Sequence, residues 1–73
     1  MTKLVVLSGA KVCKILGKHG FVKVRQKGSH IVMQKKIPNS TITVPVPNHK
    51  EIKRGTLQSI IRQSGIRKEE FSK

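Results

Sequence analysis

Apolar residues recur along this chain first at a helical spacing, then at every second position, then at a helical spacing again. Leu7-Ser8-Gly9-Ala10 opens the first helix. Ser8 is a good N-cap, because its hydroxyl can accept from backbone N–H groups that the first turn leaves unpaired. Leu7 and Val12 then hold the two hydrophobic-staple positions, and Val12, Ile15 and Leu16 form one buried stripe at i, i+3, i+4. Gly20 is expected to end the helix in the left-handed conformation, with Phe21 folding back on Leu16.

From Phe21 the period shortens to two. Val22 and Val24 alternate with Lys23 and Arg25, the pattern of a half-buried strand with its valines inward. Lys27-Gly28-Ser29 supplies a short turn, and His30 to Lys36 forms a second strand. On that strand Ile31 and Met33 are expected in the core, which leaves His30 for the solvated face; were Val32's side the buried one, His30 would escape burial only at the frayed start of the strand. Pro38-Asn39-Ser40 is the next turn, and Thr41 to Val44 is a third strand rich in β-branched residues. Pro45 and Pro47 cannot donate to a sheet ladder, so the strand is expected to stop there. A basic loop from Pro47 to Arg54 leads into a second helix marked by Leu57, Ile60 and Ile61. Gly65 closes it, with Ile66 folding back on Ile61, so both helices are expected to end by the same device. The tail from Arg67 to Lys73 is expected to add a helical turn pinned by Phe71.

Three strands joined by tight turns make one antiparallel sheet, and each helix has a single apolar face. The economical packing sets both helices on one face of the sheet and leaves the other wet. The expected fold is an α+β sandwich in the order α-β-β-β-α, of the double-stranded-RNA-binding-domain type. Residues 1–73 are read as one domain, since so short a chain buries too little surface for two folding units.

Charge sharpens this picture. Sixteen Lys+Arg stand against three acids, Glu51, Glu69 and Glu70, for a net charge of +13. Surface pairing cannot neutralise that surplus, so the expected partner is a polyanion. The lack of aspartate argues against a carboxylate-rich Mg²⁺ or Ca²⁺ site. Cys13 is the lone cysteine, which excludes an internal disulfide and a cysteine-based zinc site, and suits a reducing cytoplasm. The longest apolar run, Leu4-Val5-Val6-Leu7, is far below the ~20 residues of a membrane span, so no membrane partner is expected. Phe21 and Phe71 are the only aromatics, which weakens binding by base stacking. The chain is expected to meet phosphates electrostatically.

Several side chains could carry chemistry. Arg25, Lys27, Lys35 and Lys36 lie near strand ends, while Lys50, Lys53 and Arg54 crowd the start of the second helix, whose free N–H groups already favour a phosphate. A solvated charged face is the competing reading, and the net charge tips the balance toward polyanion binding. His30 is delivered by a flexible turn to a strand start among cations. Metal-free RNA cleavage needs a base for the 2′-hydroxyl proton and an acid for the leaving 5′-oxygen. Histidine exchanges protons near neutral pH and can serve as either. One histidine near lysines also fits a plain turn residue. His49, in Pro47-Asn48-His49-Lys50, is a second candidate for acid or phosphate contact, against a loop-capping role. His19 falls in the last turn of the first helix and reads as structural, and Cys13 reads as packing filler beside the apolar stripe. Ser29 as a nucleophile would need His30 as its base, and adjacent strand residues point to opposite faces. A serine hydrolase is rejected.

The strings Leu7-Ser8-Gly9, Gly20-Phe21 and Gln26-Lys27-Gly28-Ser29-His30, followed by Val44-Pro45, His49-Lys50-Glu51, Lys53-Arg54-Gly55-Thr56-Leu57 and Ile60-Ile61-Arg62-Gln63-Ser64-Gly65-Ile66, form an ordered set. Together they resemble the HicA toxin family (YcfA-like proteins), small mRNA interferases of bacterial toxin–antitoxin pairs. The resemblance runs from about Leu4 to Phe71. It implies a metal-independent ribonuclease without cofactor, whose catalytic histidine maps onto His30. Lys27, Ser29, Arg25, Lys35, Lys50, Lys53 and Arg54 are then the expected RNA contacts. The implied partners are mRNA and a HicB antitoxin encoded beside the toxin, which covers the active surface. Family members often carry a second histidine or a polar residue after Gly-Ser-His, and here Ile31 stands there. The second proton carrier is therefore open between His49 and Lys27. A non-catalytic double-stranded RNA-binding module is the alternative from another class, and a basic nucleoid or ribosomal protein is a third.

Overall fold

The computed structural model describes residues 6–71, so the start of the Leu4–Leu7 run and the end of the tail fall outside the described residues. Helix α1 spans Gly9–Lys18, and the Ser8 hydroxyl caps it by accepting from the Lys11 N–H at 3.1 Å. Past its end, Gly20 takes φ 93°. The Gly20 N–H donates to the Gly17 carbonyl at 3.2 Å, and the Phe21 N–H to the Leu16 carbonyl at 3.1 Å. That bond pair is the Schellman arrangement, and it folds buried Phe21 onto buried Leu16 as the sequence predicts.

Strands β1 (Val22–Lys27), β2 (His30–Ile37) and β3 (Ser40–Pro47) form one antiparallel sheet in the order β1-β2-β3. Gly28 turns the first hairpin with φ 58° at the first central position, where a side chain would be strained. Pro38-Asn39 turns the second, with the left-handed residue, Asn39 at φ 66°, in the second central position. Helix α2 covers Arg54–Ser64, and a 3-10 turn over Lys68–Phe71 buries Phe71 completely. Leu7, Val12 and Leu16 from the α1 side, Leu57 and Ile60 from α2, and Ile31, Met33, Val44 and Val46 from the sheet share one core with Phe71. Both helices therefore lie on one sheet face, and the architecture is the expected α-β-β-β-α sandwich. Among the described residues no helix is long and apolar enough to cross a membrane.

Three expectations fail. First, β1 does not bury its valines: Val22 is 61% exposed and Val24 46%. The hairpin sets Lys27 opposite His30, Gln26 opposite Ile31 and Arg25 opposite Val32, but a bulge between Lys23 and Arg25 then shifts the register. Without it Val24 would face Met33 on the inner side. With it Lys23 takes the place opposite Met33, and Val22 faces Gln34 on the outer side. Second, β3 does not stop at Pro45, but runs to Pro47, which pairs with His30. Successive N–H groups of a strand point to opposite edges. Asn48 donates its N–H to the Ser29 carbonyl on the β2 side, so the two proline nitrogens, at odd positions, face outward. As β3 is an edge strand, nothing there needs their missing donors. Third, α2 shares the left-handed glycine (Gly65, φ 72°) but closes through a side chain. The Ser64 hydroxyl donates to the Ile61 carbonyl at 2.9 Å and accepts the Ile66 N–H at 3.1 Å.

Candidate functional site

The β1–β2 turn, Gly28-Ser29, is exposed. Burial of Ile31 and Met33 fixes the parity of β2, so His30, Val32, Gln34 and Lys36 point to the solvated side. Lys27 stands directly across from His30, at the ~5 Å Cβ separation of paired strand residues. On the other flank His30 faces Pro47. Arg25, Lys27, Gly28, Ser29, His30 and Val32 line one open depression. All of these except half-buried Val32 are exposed.

The basic loop is fastened to this turn by backbone bonds. Its first residue, Asn48, donates to the Ser29 carbonyl. The His49 carbonyl accepts from the Gly9 N–H at 2.8 Å, and the Ile52 N–H donates to the Leu7 carbonyl at 2.8 Å. Ile52 is buried, which anchors the loop while His49, Lys50 and Lys53 stay exposed. Gly9 permits the contact: a Cβ there would press on the Pro47 carbonyl oxygen and come within 2.9 Å of the Asn48 Cα. The loop ends at Lys53, the N-cap of α2, where no side chain caps the helix and no acid lies in the first turn. The first N–H groups of α2 and the adjacent Lys53 and Arg54 thus make a cationic, donor-rich helix start.

The structure brings Arg25, Lys27, Ser29 and His30 together, and ties the loop bearing His49 and Lys50 to the same turn. It separates Lys35, which shares the inner parity of Met33. Lys35 is half-buried, with its ammonium 6.0 Å from the centre of the Phe21 ring. His19 stands in the helical layer, with Nε2 3.6 Å from Glu70 Oε1. Cys13 packs against the core, and burial pushes its thiol above the usual range, against a smaller opposing pull from Lys23. Among the described residues His19 contacts Glu70 and an ion pair joins Arg67 to Glu69, while Arg25, Lys27, Lys50, Lys53 and Arg54 form no ion pair. No three His, Cys, Asp or Glu side chains among those residues gather in a group that could hold a metal ion.

Sequence reasoning missed the Gly9 contact and the bulge that turns β1. A glycine at the first helical position, with no turn to make, is the one signal that pointed to close packing there. Nothing in the alternation of Val22 to Lys27 marks the bulge.

None of the curated proteins searched matches the chain. The sequence model of one family, described as HicA toxin of bacterial toxin-antitoxin, matches residues 9–66. That span takes in the Gly9 contact, the His30 hairpin, the basic loop and all of α2, and the chain belongs to the HicA toxin family, the toxin half of a toxin–antitoxin pair with an antitoxin as its partner.

Proposed function

We propose that this toxin is an mRNA interferase: a metal-independent ribonuclease of the cytoplasm that uses His30 as its general base and is neutralised by a HicB-type antitoxin. The observation that carries the reading is the exposed imidazole of His30 on the uncovered sheet face, paired across the strands with Lys27. Arg25 and Lys27, with Lys50, Lys53 and Arg54 around the fastened loop, draw the RNA backbone in by its phosphates.

In the proposed reaction His30 takes the proton of a ribose 2′-hydroxyl, and that oxygen attacks the adjacent phosphorus. The pentavalent phosphorane carries extra negative charge, which the ammonium of Lys27 is placed to stabilise. The bond to the 5′-oxygen then breaks. The products are a 2′,3′-cyclic phosphate and a 5′-hydroxyl, the latter protonated by an acid. Lys27 or His49 supplies that proton. His30, left protonated, gives its proton to solvent, and the acid regains one from solvent, which closes the cycle.

Incubation with single-stranded RNA in excess chelator tests this. The expected products carry 5′-hydroxyl and cyclic phosphate ends, whereas cleavage only on addition of a divalent ion would contradict it. With ~5 phosphates neutralised, RNA affinity should fall roughly a hundredfold between about 50 and 200 mM salt. The α-β-β-β-α order with its cationic start of α2 also suits a non-catalytic binder of double-stranded RNA. That reading requires tight duplex binding with no strand scission on long incubation.

A further inference from the structure

The outer sheet face has a second depression, at the end away from the His30 turn, lined by Gly20, Val22, Val24, Gln34 and Lys36. Two valines line it, 61% and 46% exposed, whereas Ile31, Met33, Val44 and Val46 of the other two strands are buried. The bulge is what exposes them. A regular β1 closed by the same hairpin would set Val24 opposite Met33, on the inner side of the sheet. The bulge re-aims both valines to the outer face, which marks the pair as a contact surface.

We propose that the Val22–Val24 end of the sheet is the docking site for the antitoxin, and that it takes an acidic protein surface with a small apolar centre. The proposal rests on the toxin–antitoxin reading but not on cleavage by His30. The patch has the anatomy of a protein interface, an apolar middle with the cation Lys36 at its rim and Arg25 next in sequence to Val24. RNA is disfavoured as its occupant, because aliphatic side chains offer a base neither a stacking plane nor a hydrogen bond, and no aromatic residue lies on this face. A second copy is disfavoured too. A two-fold interface would set Arg25 and Lys36 against the same cations, and the chain carries +13 overall. An acidic partner turns that repulsion into attraction and should associate fast at low salt.

The deciding variant is Val22→Thr/Val24→Thr, which keeps the β-branched shape and removes the apolar surface. The probe is the purified product of the gene adjoining this one. Its affinity for the double variant should drop by at least about tenfold, while RNA cleavage by the variant stays at the parent level. In cells the variant should then arrest growth despite the antitoxin. His30→Ala provides the opposite case, with antitoxin affinity kept and cleavage lost. Undiminished antitoxin binding by the double variant overturns the docking site, as does loss of RNA affinity with antitoxin affinity unchanged. If the parent protein fails to cleave RNA, the ribonuclease reading falls while the antitoxin measurements still decide the docking site.

Discussion

Strands β1 and β3 are the two edges of the same sheet, yet they are built on opposite terms. β3 alternates cleanly, with Val44 and Val46 fully buried against the helices, and its outer edge is closed by Pro45 and Pro47, which offer no donors. β1 is exposed along its whole length and is turned by a bulge in mid-strand. One edge holds the core together. The other places Arg25, Lys27 and the valine pair on the uncovered face. Burial and exposure are thus divided between the two edge strands, and β2 carries both: Ile31 and Met33 inward, His30 outward.

Substitutions can break this contrast, beginning on β3. Val44→Ala or Val46→Ala should each destabilise the fold by about 2–3 kcal/mol, read by denaturant unfolding, because a packed site leaves a cavity. Gly9→Ala should cost about 1–3 kcal/mol, since the new methyl group collides with the end of β3. It should also lower RNA cleavage by displacing the basic loop. Neither valine of β1 should behave like those of β3: Val22→Thr and Val24→Thr should each shift stability by less than about 0.5 kcal/mol. The smallest effect belongs to Cys13. Burial raises its folded-state pKa, so the folded protein holds this proton more tightly than the unfolded chain does. The resulting stabilisation is complete below the unfolded thiol pKa and fades as pH rises through the folded value. Unfolding midpoints of Cys13→Ala and the parent, compared from neutral to alkaline pH, should converge in that window.

The contrast also explains what the sequence could and could not reveal. Hydrophobic period, cap residues and turn glycines are local signals, and they located both helices, the three strands, the Gly20 cap and the inward pair Ile31 and Met33. From that pair the exposure of His30 followed by parity alone. β1 escaped this logic because a bulge shifts its register between Lys23 and Arg25, and the alternation of its residues carries no mark of that shift. Lys35 was grouped with the other cations by its neighbours in sequence, and parity sends it to Phe21 on the inner side instead. The fastening of the basic loop depends on backbone groups of Leu7, Gly9 and Ser29, which carry no side-chain signature. Pro45 and Pro47 misled for a related reason, as a proline ends a strand only where its nitrogen faces a partner.

The most direct test concerns the imidazole at the head of β2. His30→Ala should bind single-stranded RNA as the parent does, with the same salt dependence, and produce no cleavage in excess chelator. Cleavage at the parent rate by His30→Ala would contradict the account and leave the cationic face as a binding surface only.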